Sequence, residues 1–306
     1  MPRVLCAVLC WLGFASAAHA AGWELVFSDE FNGSELDRDK WATRYIYDNE
    51  LCDTFPKNEE QQRYTDNGTH VVQGGNLDLV ARKVANTGKI DFESGMVRSY
   101  QTFYYGYYEA RVKTPKAIGS WPAFWLAVDR DKDGNITWPP EIDVFDNANN
   151  GRDATSKTVY SGGVDGDTGP QGGNVVWGTK GVDRDGVYHH PKPLTGDWHV
   201  YGMLWTPSKL TLWLDGKMIY TKAYRWIDND SKLAGPAHVL LNLAVGGPWA
   251  GRFGIQDKLF PQKFTIDYVR VCQLSDASTG SRTCGGSPFT PDPIRFAYTT
   301  DGAGDD

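Results

Sequence analysis

The run Glu141-Ile142-Asp143-Val144-Phe145-Asp146 places three carboxylic acids within one short segment. Read as a strand, whose side chains alternate between faces, it puts Glu141, Asp143 and Phe145 on one side and Ile142 and Val144 on the other. Asp146 is out of phase, and a β-bulge, one extra residue, would return it to the acidic face. Crowded carboxylates cannot all ionise easily, so their pKa values separate. Acid-assisted cleavage of a glycosidic bond needs that separation: one carboxylate ionised as nucleophile or base, one protonated as acid. The same spacing also suits a solvated strand edge or, with Asp129, Asp131 and Asp133 just upstream, a calcium-binding loop.

Aromatic residues favour the first reading. The chain has twelve Trp, and Trp121, Trp125 and Trp138 immediately precede the acids. An exposed indole is a flat apolar platform suited to the C–H face of a sugar ring. Trp121 and Trp138 are expected to line a cleft, and Trp125 to belong more to the core.

The elements that must position these residues read as strands. No window holds an apolar i, i+3, i+4, i+7 pattern for three helical turns. Asn76–Lys83 alternates Leu77, Leu79 and Ala81 with polar neighbours, and Tyr104–Lys113 alternates around Glu109 and Arg111. Leu210–Tyr220 carries Asp215-Gly216 between apolar runs, a two-residue hairpin signal. His238–Val245, apolar apart from Asn242, reads as a buried strand, and Phe264–Cys272 as another. Many short strands between Gly, Asn and Asp clusters predict an all-β sandwich or jelly roll. Residues 147–195 form a Gly- and Asp-rich stretch, long for a loop and of the kind that serves as a lid.

Of the 306 residues, the first twenty read as a secretory signal peptide: Arg3, an apolar stretch, then Ala18-His19-Ala20. Residues 21–274 are expected to form one domain, and the Ser-, Gly-, Pro- and Asp-rich 275–306 a flexible tail. A net charge of −7 argues against a nucleic-acid partner. No later stretch is apolar enough to span a bilayer. The expectation is a secreted or periplasmic monomer whose partner is a polysaccharide and which needs no organic cofactor. Export implies an oxidising compartment, where disulfides persist. Cys52, Cys272 and Cys284 remain after the signal peptide; Cys272–Cys284, nearest in sequence, is the favoured bridge, with Cys52–Cys284 open. His189-His190 reads as a solvated pair, because adjacent loop residues point apart.

At the acidic run the sequence resembles glycoside hydrolase family 16, which includes laminarinases, lichenases, agarases and carrageenases. Several motifs in order carry the resemblance: Leu25–Trp41 (LVFSDEFNGSELDRDKW), Asn58–Thr65 (NEEQQRYT), Tyr104–Pro115, Gly119–Leu126 (GSWPAFWL), Trp198–Gly216, Leu240–Gly247 and Phe264–Val271. The resemblance implies a β-jelly roll with a cleft across its concave sheet and an endo-acting enzyme that cuts internal, β-configured bonds of a polysaccharide. The family pattern is Glu-x-Asp-x-x-Glu on one bulged strand. It makes Glu141 the nucleophile, Asp143 the residue that tunes it, and the third position the acid/base. It also brings Asn58, Tyr160 and Asn242 to the cleft as substrate-binding residues beside the three tryptophans. A structural calcium is implied at the Glu30 and Gly75 backbones and the Asp267 side chain.

The chain departs from the pattern at several points. Asp146 replaces the usual Glu, Pro140 a Gly, Met96 an Arg and Tyr160 a His. Such changes admit a glycan-binding protein without catalysis, or a transglycosylase or lyase on the same fold, although Glu141 and Asp143 are retained. Aspartate is one methylene shorter, which withdraws the carboxyl by roughly 1.5 Å. Retaining enzymes hold their two carboxyls about 5–5.5 Å apart and inverting ones about 6.5–9.5 Å. Retention is the expectation, since Glu141 occupies the nucleophile slot and a bulge can re-aim its neighbour.

Overall fold

The computed structural model describes residues 23–46, 51–85, 90–130, 133, 135, 137–152, 158–164 and 187–274. The signal-peptide and tail readings lie outside these residues. Two sheets face one another. The larger contains β1 (Trp23–Asp29), β3 (Gln62–Tyr64), β4 (His70–Gln73), β5 (Asn76–Lys83), β6 (Phe92–Ser94), β8 (Gly106–Lys113), β14 (Trp198–Thr206), β15 (Lys209–Leu214), β16 (Lys217–Ala223) and β18 (Gln262–Leu274). The smaller runs in the order β12 (Gly162–Val164), β10 (Glu141–Asp146), β9 (Ser120–Val128), β17 (Ala237–Val245), β7 (Met96–Phe103) and β2 (Trp41–Ala42). β11 (Thr158–Tyr160) and β13 (Val187–His189) form a separate ribbon within the stretch expected to be one long loop. Helix is confined to single turns at Pro56–Asn58, Gly247–Ala250 and Asp257–Leu259 among the described residues. None of their helices is long and apolar enough to cross a membrane.

Alternation builds the core between the sheets. From the larger sheet come Tyr108, Ala110 and Val112, then Tyr201, Met203 and Trp205, then Phe264, Ile266, Val269 and Val271. From the smaller come Phe124 and Leu126, then Val239, Leu241 and Leu243. Leu77, Leu79 and Ala81 enter it as their spacing predicted. The expected hairpin joins β15 to β16, with Asp215 at φ 50° and Gly216 at φ 76°, both in the left-handed region that two-residue turns favour. β17 is buried along its whole length between β9 and β7. It fixes the centre of the smaller sheet, whose other face carries the cleft.

Candidate active site

β10 pairs with β9 in a register that shifts between Asp143 and Phe145: Asp143 stands opposite Trp125, Phe145 opposite Phe124 and Asp146 opposite Ala123. This is the expected bulge, one residue earlier than needed to keep Phe145 with the acids. Val144 and Phe145 both turn into the core with Ile142, while Glu141, Asp143 and Asp146 line the cleft. The reason is packing. Phe145 packs tilted at 4.5 Å against Tyr201 and edge-on at 5.9 Å to Phe264, both in the core between the sheets. The backbone around the acids is held from outside the strand. The Tyr224 hydroxyl donates to the Glu141 carbonyl at 3.0 Å, and the Ser161 hydroxyl to that of Asp143 at 2.8 Å.

Each outer acid accepts a hydrogen bond from an indole. Trp138 Nε1 donates to Glu141 Oε2 at 3.1 Å, and Trp121 Nε1 donates to Asp146 Oδ1. Asp143 and Asp146 are almost sealed from solvent. Burial raises the Glu141 pKa to about 7, with the Trp138 N–H partly opposing it. Burial likewise raises Asp146 to about 8; Trp121 opposes, and the charges of Glu141 and Glu60 add to the rise. Asp143, between them, is raised well above the carboxylate range by burial and by both neighbours. The order suits a division of labour in which Glu141 ionises first and Asp146 keeps its proton longest among the outer pair.

These residues sit in an open cleft of about 540 Å³. Its floor comes from β9 and β17. Trp125, although nearly buried, lines it and donates Nε1 to Asn242 Oδ1 at 2.7 Å, while Asn242 Nδ2 donates to the Tyr64 hydroxyl at 3.0 Å. Trp138 stands 46 % exposed at the rim, and Trp121 packs edge-on against Trp249 at 5.4 Å. Asn58 also lines the cleft. The structure thus brings together Glu141, Asp143, Asp146, Asn58, Asn242 and all three tryptophans, including Trp125, expected to belong more to the core. Met96, in the position where the family has Arg, is fully buried beneath Tyr45, Tyr64 and Trp125.

Glu60 and Trp249 are among the cleft residues that escaped the sequence reading. Glu60 is buried, accepting from Gln62 Nε2 at 2.5 Å and from Asn58 Nδ2 at 3.4 Å. It reaches the cleft because its backbone bridges to Gly246, at the end of β17. Trp249 arrives on the turn after Gly247, where φ is +68° and a Cβ would lie 2.6 Å from the Asn58 carbonyl. The Gly246-Gly247 pair was the available signal for such a close approach.

Other expectations fare differently. Tyr160 lies in β11, which pairs with β13 rather than with β10, and its side chain lies outside the described set. Opposite Asp143 stands Gly162 instead. At the implied calcium site, Asp267 Oδ2 accepts from Arg111 Nη1 at 2.6 Å, and the Glu30 carboxylate is bound by Arg270 at 2.7 Å. The one carboxylate meant for the ion is already neutralised, so this donor set does not fit calcium as it stands. Upstream of the acidic strand, Asp129 pairs with His238 at 3.2 Å, and Asp131 lies outside the described residues. Among the described residues no cluster of three or more His, Cys, Asp or Glu could hold a metal. Cys52 carries a free thiol, which removes the Cys52–Cys284 bridge. Cys272 is fully buried, and Cys284 lies outside the described residues.

Comparison with known proteins agrees with this geometry. Residues 23–274 match the family model described as the GH16 domain of β-porphyranases A–D. A β-glucanase of Rhodothermus marinus is 32 % identical over 274 residues, covering 85 % of this chain and 88 % of that protein. A glucan endo-1,3-β-glucosidase A1 of Niallia circulans is 29 % identical over 82 % of this chain, which spans only 38 % of that longer protein. The solved laminarinase of Rhodothermus marinus superposes with a TM-score of 0.66 at 27 % identity, covering 83 % of this chain and 99 % of that one.

Proposed function

The chain belongs to glycoside hydrolase family 16, and from that premise we propose that it is an exported, endo-acting hydrolase that cuts internal β-glycosidic bonds of a polysaccharide with retention of configuration. The observation that supports this most is the bulged strand presenting Glu141, Asp143 and Asp146 to one aromatic cleft, with an indole N–H on each outer acid. An open cleft receives a chain along its length, as an endo-acting enzyme requires. The aromatic rim binds sugar faces and excludes water from the acids.

In the first step Glu141, ionised and steadied by Trp138, attacks the anomeric carbon, and Asp146 gives its proton to the departing oxygen. A glycosyl ester on Glu141 results. In the second step Asp146, now a carboxylate, takes a proton from water, which attacks the same carbon and releases Glu141. Asp143 lies between the two. Kept protonated by its neighbours, it can donate to Glu141 and ease its departure from the ester. The relatives' names point to β-glucans and the family model's to porphyran, so the substrate is sought among both.

The test is a panel of neutral β-glucans, agarose-type galactans and porphyran, followed by reducing-end release and product size. New reducing ends with a ladder of oligosaccharides are expected on at least one member. Binding without chain cleavage would make the protein a glycan-binding module. Products joined to added oligosaccharides would make it a transferase, and unsaturated products absorbing in the ultraviolet a lyase. For export, the amino terminus of the released protein should map to residue 21.

A further inference from the structure

An aspartic acid gives up its proton more readily than a glutamic acid, by about 0.4 of a pH unit. A chain with Asp146 in the acid/base place therefore needs other means of holding that proton. Burial supplies most of them. Glu60 stands where it can supply more. Asp146 faces Ala123 on β9, and Ala123 faces Asn242 on β17. Where β17 ends, the Glu60 segment joins it: Gln61 N donates to the Val245 carbonyl at 2.9 Å, and Val245 N donates to Gln62 Oε1 at 2.7 Å. Ala123, Asn242 and Ala244 line the cleft on this side, and the Asn242 amide is already engaged by Trp125 and Tyr64. Charges interact more strongly across such a buried floor than through water. Gly247 ties the two walls together. A Cβ there would lie 2.6 Å from the Asn58 carbonyl oxygen and 3.3 Å from Trp121 Cζ3, and Trp121 is the indole that donates to Asp146.

We propose that Glu60 is a positioning residue for the proton on Asp146: its carboxylate, kept charged by the amides of Asn58 and Gln62, holds that proton ready for the departing oxygen. Both amides donate to Glu60, and such donors favour the ionised form. The carboxylates facing Asp146 are Glu141 and Asp143 on its own strand and Glu60 from beyond β17. Tyr45 and Lys57 complete the titratable groups among the described residues lining the cleft; Lys57 is their one cation and is solvent-exposed. Tyr64, close by, is kept neutral by burial and by the Glu60 charge. Glu141 loses its charge when the glycosyl ester forms, whereas Glu60 keeps its own through both steps. It thus helps Asp146 hold a proton in the first step and take one from water in the second.

The proposal rests on the reading of Asp146 as proton donor, and the experiment separates the two. The isotope-labelled Trp121 indole N–H is followed by NMR against pH, beside the pH profile of kcat/KM. In the unaltered protein the indole signal should titrate with Asp146, near pH 8. Glu60→Gln should lower that midpoint and the alkaline limb together by about half a pH unit, with KM within about twofold and the acid limb of Glu141 in place. Glu60→Asp, which keeps the charge, should restore most of the shift. Should Glu60→Gln fail to fold, Glu60→Ala is read in its place with the same expectation. A midpoint unmoved in the folded neutral variant would overturn the proposal, as would an equal move in Glu60→Asp. A raised KM with both limbs in place would overturn it too, making Glu60 a substrate contact. If Asp146→Asn abolishes the alkaline limb while Glu60→Gln leaves it unmoved, only the role of Glu60 falls. An alkaline limb that survives Asp146→Asn would overturn the reading of Asp146 and this proposal with it.

Discussion

Buried carboxylates occupy both outward faces of this sandwich, and their partners differ. On the larger sheet Asp78 is bound by Lys263 at 2.6 Å and by the Thr265 hydroxyl at 2.6 Å, and Glu109 accepts from two tyrosine hydroxyls. On the smaller sheet Glu141 and Asp146 are each met by an indole N–H, and Asp143 is crowded by both. The first set is compensated and holds strands together. The second is left to compete for protons, which is costly for folding and useful for proton transfer. A buried acid marks a catalytic site here by its crowding with other acids rather than by burial itself.

The largest effect that would break this contrast is on turnover. Glu141→Gln should fold and lower kcat/KM by at least ~10³-fold, because a carboxamide can neither attack the anomeric carbon nor share its charge. Asp146→Asn should lose ~10²–10⁴-fold, most with poor leaving groups. Glu109→Gln, equally buried, should stay within about threefold; a loss matching that of Glu141→Gln would erase the distinction.

Stability should move the opposite way. Glu109→Leu leaves two buried hydroxyls without their acceptor and should cost about 1–3 kcal/mol, measured by denaturant unfolding. Glu141→Gln should instead melt higher than the wild type at pH 8. Its folded pKa is raised, so the folded state holds more protons than the unfolded one from about pH 4.5 to 7, and wild-type stability falls as pH rises across that window. Asp146→Asn should gain similarly up to about pH 8. Both advantages should vanish near pH 4. A gain that persists there would mean the acids cost the fold something other than ionisation.

Activity against pH should be bell-shaped in kcat/KM, rising as Glu141 ionises near pH 7 and falling as Asp146 loses its proton near pH 8. The smallest effects concern the indoles. Trp138→Phe removes the N–H that favours ionised Glu141 and should move the acid limb upward by a fraction of a pH unit. Trp121→Phe should move the alkaline limb upward in the same way. If either substitution shifts the other's limb, the two carboxylates are assigned the wrong way round.

Much of this was legible in the sequence. Local patterns sufficed for the β15–β16 turn, the buried β17 and the need for a bulge in β10. The placement of that bulge was not read correctly, because strict alternation assigned Phe145 to the cleft. The adjacent apolar pair Val144-Phe145, followed at once by an acid, was the trace of two residues facing the core together. Glu60 was invisible for another reason. Its position depends on a bridge to Gly246, far along the chain, and no local period encodes such a contact. The calcium reading set the Asp267 side chain beside the Glu30 and Gly75 backbones, and no local pattern shows Arg111, which meets Asp267 through the pairing of β8 with β18.

The central claim is that Glu141 attacks carbon while Asp146, despite its shorter side chain, handles the proton. Proton NMR of the first-formed sugar anomer, recorded on a soluble β-linked substrate before mutarotation, tests it most directly. The account predicts that the β anomer accumulates first. Initial formation of the α anomer would contradict it, making Glu141 the base for a water molecule seated between the two acids.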